Sequence, residues 1–72
     1  MKKVYKMKDL DCANCAAKME RAISKIEGVE KASMNFLTQR LTLELAEGAD
    51  EAAILAQCRQ AVAKVDRHCE VL

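Results

Sequence analysis

A chain of 72 residues has room for one domain, read as residues 1–72, and for only a thin core. With 51% apolar and 32% charged residues and a net charge of +1, it is not a disordered polyelectrolyte, and its near neutrality removes the electrostatic footprint that nucleic-acid binding needs. No apolar run approaches the roughly 20 residues of a membrane span, and no apolar stretch follows the basic start Met1-Lys2-Lys3 to make a secretory signal; a cytosolic chain with reduced thiols is expected.

Residues 3–8 alternate, with Tyr5 and Met7 on one side and Lys6 and Lys8 on the other, the period of a half-buried strand. Asp9 to Asn14 is a polar loop in which Leu10 is the anchor into the core. From Cys15 onward Ala16, Met19, Ile23 and Ile26 recur at three- and four-residue steps, predicting an amphipathic helix that Gly28 stops. Residues 29–36 read as a second strand with Ala32, Met34 and Phe36 on one side. After the turn Leu37-Thr38-Gln39, which has no Gly to define its type, Leu41, Leu43 and Leu45 alternate with Thr42 and Glu44 in a third. Nearness in sequence pairs these two strands as a hairpin. Asp50 is the expected N-cap of a second helix that puts Ile54, Cys58, Ala61, Val62 and Val65 on one face. Cys69 and Val71, alternating with His68 and Glu70, predict a short closing strand.

This order predicts an α+β, ferredoxin-like βαββαβ fold: a four-stranded antiparallel sheet with two helices on one face. The absence of Pro and of any linker-like tract favours one compact unit.

The chemistry concentrates in Asp11-Cys12-Ala13-Asn14-Cys15. With Cys12 in the loop and Cys15 opening the helix, both thiols lie where free N–H groups and the positive end of the helix dipole favour anions. Such a place lowers a cysteine pKa, and the thiolate is the metal ligand. Two sulfurs alone suit Cu+, whereas Zn2+, Cd2+ and Pb2+ want three or four donors. A carboxylate at Asp11 adds an oxygen donor and a third negative charge, which a divalent ion offsets better than a monovalent one. Zn2+, Cd2+ or Pb2+ is therefore favoured and Cu+ is the alternative. The plainer reading makes Asp11 an exposed loop residue or a helix cap.

The stretch Leu10-Asp11-Cys12-Ala13-Asn14-Cys15-Ala16-Ala17-Lys18-Met19-Glu20, with Gly28-Val29-Glu30-Lys31-Ala32-Ser33-Met34-Asn35-Phe36 after it, resembles a heavy-metal-associated domain. That family includes small copper chaperones, the periplasmic mercury-binding protein and the N-terminal domains of soft-metal P-type ATPases. The resemblance covers essentially the whole chain and implies the ferredoxin-like fold and metal binding through Cys12 and Cys15. The Asp-Cys-x-x-Cys form is more similar to the zinc, cadmium and lead exporting ATPases than to the copper branch, which usually has Thr or Ser at position 11. In the former the Asp is a metal ligand, and the resemblance carries that role to Asp11. The chain departs from the family pattern at Lys64-Val65-Asp66-Arg67-His68-Cys69, which lacks the usual aromatic or chaperone Lys, and at Leu10, where Met is commoner.

Other residues take plainer readings. Cys58 and Cys69 are expected in the core, His68 on the surface, and Met7, Met19 and Met34 in the core stripes. The lysines at 2, 3, 6 and 8 form a solvated basic strand. The leading function is the cytosolic metal-binding domain of a zinc, cadmium or lead exporting P-type ATPase, a monomer that catalyses nothing alone and whose partners are the metal ion and the rest of the pump. A second reading is a free-standing metallochaperone exchanging ions, copper among the candidates, with a donor or acceptor protein. A third is a thiol–disulfide oxidoreductase using Cys12 and Cys15, against which the chain has neither Trp nor Pro.

Overall fold

Alternating and helical periodicities resolve, in a computed structural model describing residues 1–72, into β1 (Lys2–Lys8), α1 (Ala13–Ser24), β2 (Val29–Asn35), β3 (Arg40–Leu45), α2 (Glu51–Val65) and β4 (Glu70–Val71). The four strands make one antiparallel sheet in the order β2-β3-β1-β4. Leu41, Leu43 and Leu45 on the central strand β3 are 0–1% exposed. They join Ala16, Met19 and Ile23 of α1 and Ile54, Cys58 and Val62 of α2 in a single core, so both helices cover the same face of the sheet. The ferredoxin-like expectation is met.

Met7, Met19 and Met34 are buried in that core, as are Cys58 and Cys69. Strand β2 lies at an edge of the sheet, and one of its amides is taken by the covering helix: Met34 N–H donates to Glu20 Oε2 at 2.8 Å. Asp50 caps α2 as expected, accepting from Ala53 N–H at 3.3 Å.

Some boundaries differ from the sequence reading. Helix α1 ends at Ser24, so Ile26 lies in the following turn, where it is half-buried and its N–H donates to Ile23 C=O at 3.0 Å. Gly28 is therefore not the helix stop. Its φ of +94° serves the entry to β2 and favours glycine; a Cβ there would stand 2.8 Å from Ile54 Cδ1, the movable end of that side chain. Phe36 lies just past β2, half-buried in the turn.

The basic strand is split between two environments. Lys6 stands opposite Arg40 on the open face and Lys8 opposite Glu70, while Lys3 reaches the helical side and places Nζ 3.7 Å from Glu51 Oε2. That carboxylate also accepts from Tyr5 Oη at 2.6 Å, tying β1 to the start of α2. Burial first, then the Glu51 hydrogen bond and charge, push the Tyr5 phenol up to about 12. Folding thus favours the neutral phenol: this stabilisation is complete below pH 10.0, the ordinary value, and is lost as pH rises toward 12. Tyr5 is the only tyrosine, so tyrosinate absorbance should show one transition near pH 12 in the folded protein. In denaturant, or in Glu51→Gln, the transition should fall toward 10; an unchanged transition in both would show that the contact has no effect.

Candidate metal centre

The candidate site sits where β1 hands over to α1. After Lys8 the backbone turns through Asp9 at φ +59°, a left-handed conformation that Asp tolerates better than most residues, and Leu10, 2% exposed, plugs into the core. Cys12, at φ −129° and ψ 118°, is the N-cap of α1. Its Sγ accepts from Cys15 N–H at 3.3 Å, and its C=O accepts from Ala16 N–H at 2.9 Å. The helix thus opens at Ala13 rather than at Cys15, with Cys15 in its first turn. A cap is normally Ser, Thr, Asp or Asn, which is why Asp11 reads as a cap candidate in the sequence. The cap is instead the Cys12 sulfur, and the Asp11 side chain is exposed beside it.

Capping makes the two thiols unequal. The Cys15 thiol, then the Cys15 and Asn14 N–H groups, hold Cys12 below its ordinary value, against burial and the Asp11 charge. Cys15 is pushed up, first because it donates to Cys12, then by burial and by the charges of Cys12 and Asp66. The remaining thiols are pushed away from reactivity. Burial raises Cys58, and burial together with the charges of Asp66, Asp9 and Asp11 raises Cys69 to about 11. Of the two, Cys12 gives up its proton more easily, with the neighbouring Cys15 thiol donating to its sulfur.

The fold brings Cys12 and Cys15 together, both half-buried at the surface. No three of the His, Cys, Asp and Glu side chains converge into a ready cage, so the arrangement is an open pair of sulfurs beside an exposed carboxylate. Cys58 and Cys69 face inward, and His68 is exposed, its N–H donating to Asp66 Oδ1 at 2.9 Å. Two participants escape the sequence reading. Asp66 bears on Cys15 only because the loop after α2 folds next to the site. Gln39 holds the loop from the β2–β3 turn: Leu10 N–H donates to its Oε1 at 2.9 Å, and its Nε2 donates back to Leu10 C=O. Neither carries a local sequence signal.

The pattern of the Heavy-metal-associated domain family matches residues 4–68. The chain is a heavy-metal-associated domain. Over 71 residues, 99% of its length, the domain is 32% identical to the cadmium, zinc and cobalt-transporting ATPase of Bacillus subtilis (strain 168). It is also 35% identical over 57 residues, 79% of its length, to copper-transporting ATPase 1 of Rhizobium meliloti (strain 1021). It spans only 10% and 7% of those two proteins. In fold it is similar to a CopZ metallochaperone, with a TM-score of 0.76 at 18% identity, covering 100% of both chains. No helix is long and apolar enough to cross a membrane.

Proposed function

We propose that this heavy-metal-associated domain binds one divalent ion, Zn2+, Cd2+ or Pb2+, through Cys12, Cys15 and Asp11, as the cytosolic metal-binding domain of a P-type ATPase that exports it. The observation that carries this reading is the open pair of sulfurs at the α1 N-terminus, one of them the helix cap, with a carboxylate on the preceding residue. The N–H of Cys15 and the dipole of α1 stabilise the thiolate that meets the ion. Asp11 turns in as the third, harder donor. The open side of the site admits a partner's thiolates before the ion leaves, so the ion passes by ligand exchange and is never released to water. The matched ATPase of Bacillus subtilis named for cadmium, zinc and cobalt supports the divalent assignment, and the one named for copper keeps Cu+ as the alternative cargo.

A free-standing metallochaperone would use the same site, and the fold shared with a CopZ metallochaperone suits that reading as well. Whether the gene continues past Leu72 into apolar spans separates the two.

Competitive titration of wild type and Asp11→Ala with Zn2+, Cd2+, Pb2+ and Cu+ tests the ligand set. Asp11→Ala is expected to weaken divalent binding by about 10- to 100-fold, at least the loss produced by outer-shell partners of metal ligands, and to leave Cu+ binding within a few-fold. Equal losses for both classes of ion would remove the divalent preference, and no loss for either would make Asp11 a bystander.

A further inference from the structure

We infer that Gln39 is a positioning residue of the metal loop, its side-chain amide fixing the Leu10 peptide groups and through them the direction in which Asp11 and Cys12 leave the core. The backbone ladder between β1 and β3 ends at the pair Lys6 and Arg40. Beyond it, Met7 N–H still donates to Gln39 C=O at 2.9 Å, but Leu10 has no strand opposite it. The Gln39 side chain takes over that pairing. Its Oε1 accepts from Leu10 N–H at 2.9 Å, while its Nε2 donates to Leu10 C=O and to Phe36 C=O, the latter at 2.6 Å. The acceptor and the donor group of the amide are thus both engaged in holding one residue of the loop and one of the turn.

The turn itself is built to keep Gln39 there. Asn35 Oδ1 accepts from Leu37 N–H at 2.9 Å and from Thr38 N–H at 3.2 Å, and Gln39 is held at φ +56°, a conformation uncommon outside glycine and sustained by its surroundings. Only glutamine serves among the near alternatives. Asparagine is one methylene shorter, glutamate lacks the donor, and lysine lacks the acceptor. Burial of its side chain anchors Leu10; the amide clamp orients its two peptide groups, one of which leads directly into Asp11. Without the clamp the loop gains freedom that ion binding must then remove, which weakens binding and leaves the sulfurs unchanged as ligands. The inference rests on the reading that Cys12 and Cys15 hold the ion.

The test titrates Cd2+ into the whole chain against a competing chelator, read by thiolate–cadmium charge-transfer absorbance. Amide hydrogen exchange in the metal-free protein is followed at Leu10, with Leu43 as the core reference. Gln39→Ala is expected to bind Cd2+ about tenfold more weakly, the scale of one or two net hydrogen bonds, with the absorbance per bound ion unchanged. Leu10 exchange should accelerate by a similar factor while Leu43 stays protected. Gln39→Glu keeps the acceptor for Leu10 N–H and loses the donor, so Leu10 should stay partly protected and Cd2+ binding weaken about threefold. Wild-type affinity together with wild-type Leu10 exchange in Gln39→Glu overturns the inference, whether or not Gln39→Ala folds. Equal loss of protection at Leu43 and Leu10 also overturns it, because Gln39 would then hold the fold rather than the loop. Absence of charge-transfer absorbance in wild type would instead refute the metal site, and Leu10 exchange would still decide whether Gln39 holds the loop.

Discussion

Replacing Cys12 with Ser is expected to reduce Cd2+ affinity by more than about 100-fold, beyond the loss seen for outer-shell partners of metal ligands, while leaving thermal stability close to wild type. The dissociation of the two effects follows from the double duty of the residue. Its sulfur is a ligand in the proposed site, and it also caps α1 by accepting from Cys15 N–H. A serine hydroxyl caps a helix well, so Cys12→Ser keeps the second role and loses the first. Alanine loses both, and Cys12→Ala should be destabilised by about 1 kcal/mol relative to Cys12→Ser. Paired metal titrations and urea denaturation curves check this. Equal stability of the two variants would mean that the cap contributes nothing, and full Cd2+ binding by Cys12→Ser would remove Cys12 from the site.

The largest effect on the fold itself is expected at Leu43, 1% exposed on the central strand β3. Leu43→Ala leaves a cavity where sheet and helices meet, at about 2–5 kcal/mol. A domain of this length has roughly 4–11 kcal/mol in total by the usual stability per residue, so this single change removes a large share of it. The melting midpoint should fall by more than about 10 °C. Leu37→Ala, at a side chain 81% exposed in the β2–β3 turn, should stay within about 0.5 kcal/mol of wild type. A small effect at Leu43 would show that the core repacks around the loss.

These two predictions differ in how legible their residues are in the chain. Leu43 is readable from Leu41, Leu43 and Leu45 alone, because a two-residue period with apolar groups on one side has few uses other than a half-buried strand. The helical stripes of Ala16, Met19 and Ile23 and of Ile54, Cys58 and Val62 are equally plain, and the order of elements then leaves little choice of topology. Boundaries were less legible. The stripe that runs through Ile26 reads as helix, but an apolar residue in a turn packs on the same core and leaves the same mark. The cap is a similar case: Asp11 and Cys12 both have a side-chain acceptor, and only the backbone path decides that the sulfur, not the carboxylate, meets the free N–H groups.

Sequence by itself determined the elements, the core stripes and the Cys12–Cys15 pair as the chemical centre, because periodicity and a two-residue spacer are local properties. Tertiary structure alone decided what surrounds that pair. It placed the Gln39 amide against Leu10, 29 residues away, and set the Asp66 charge beside Cys15. The Asp-Cys-x-x-Cys of the opening loop is written in five consecutive residues, and the unequal acidity of its two thiols arises first among them, but the Gln39 amide that meets the loop at Leu10 is a group that only folding brings near. Hydrogen bonds and charges act over a few ångströms in space and are indifferent to distance along the chain.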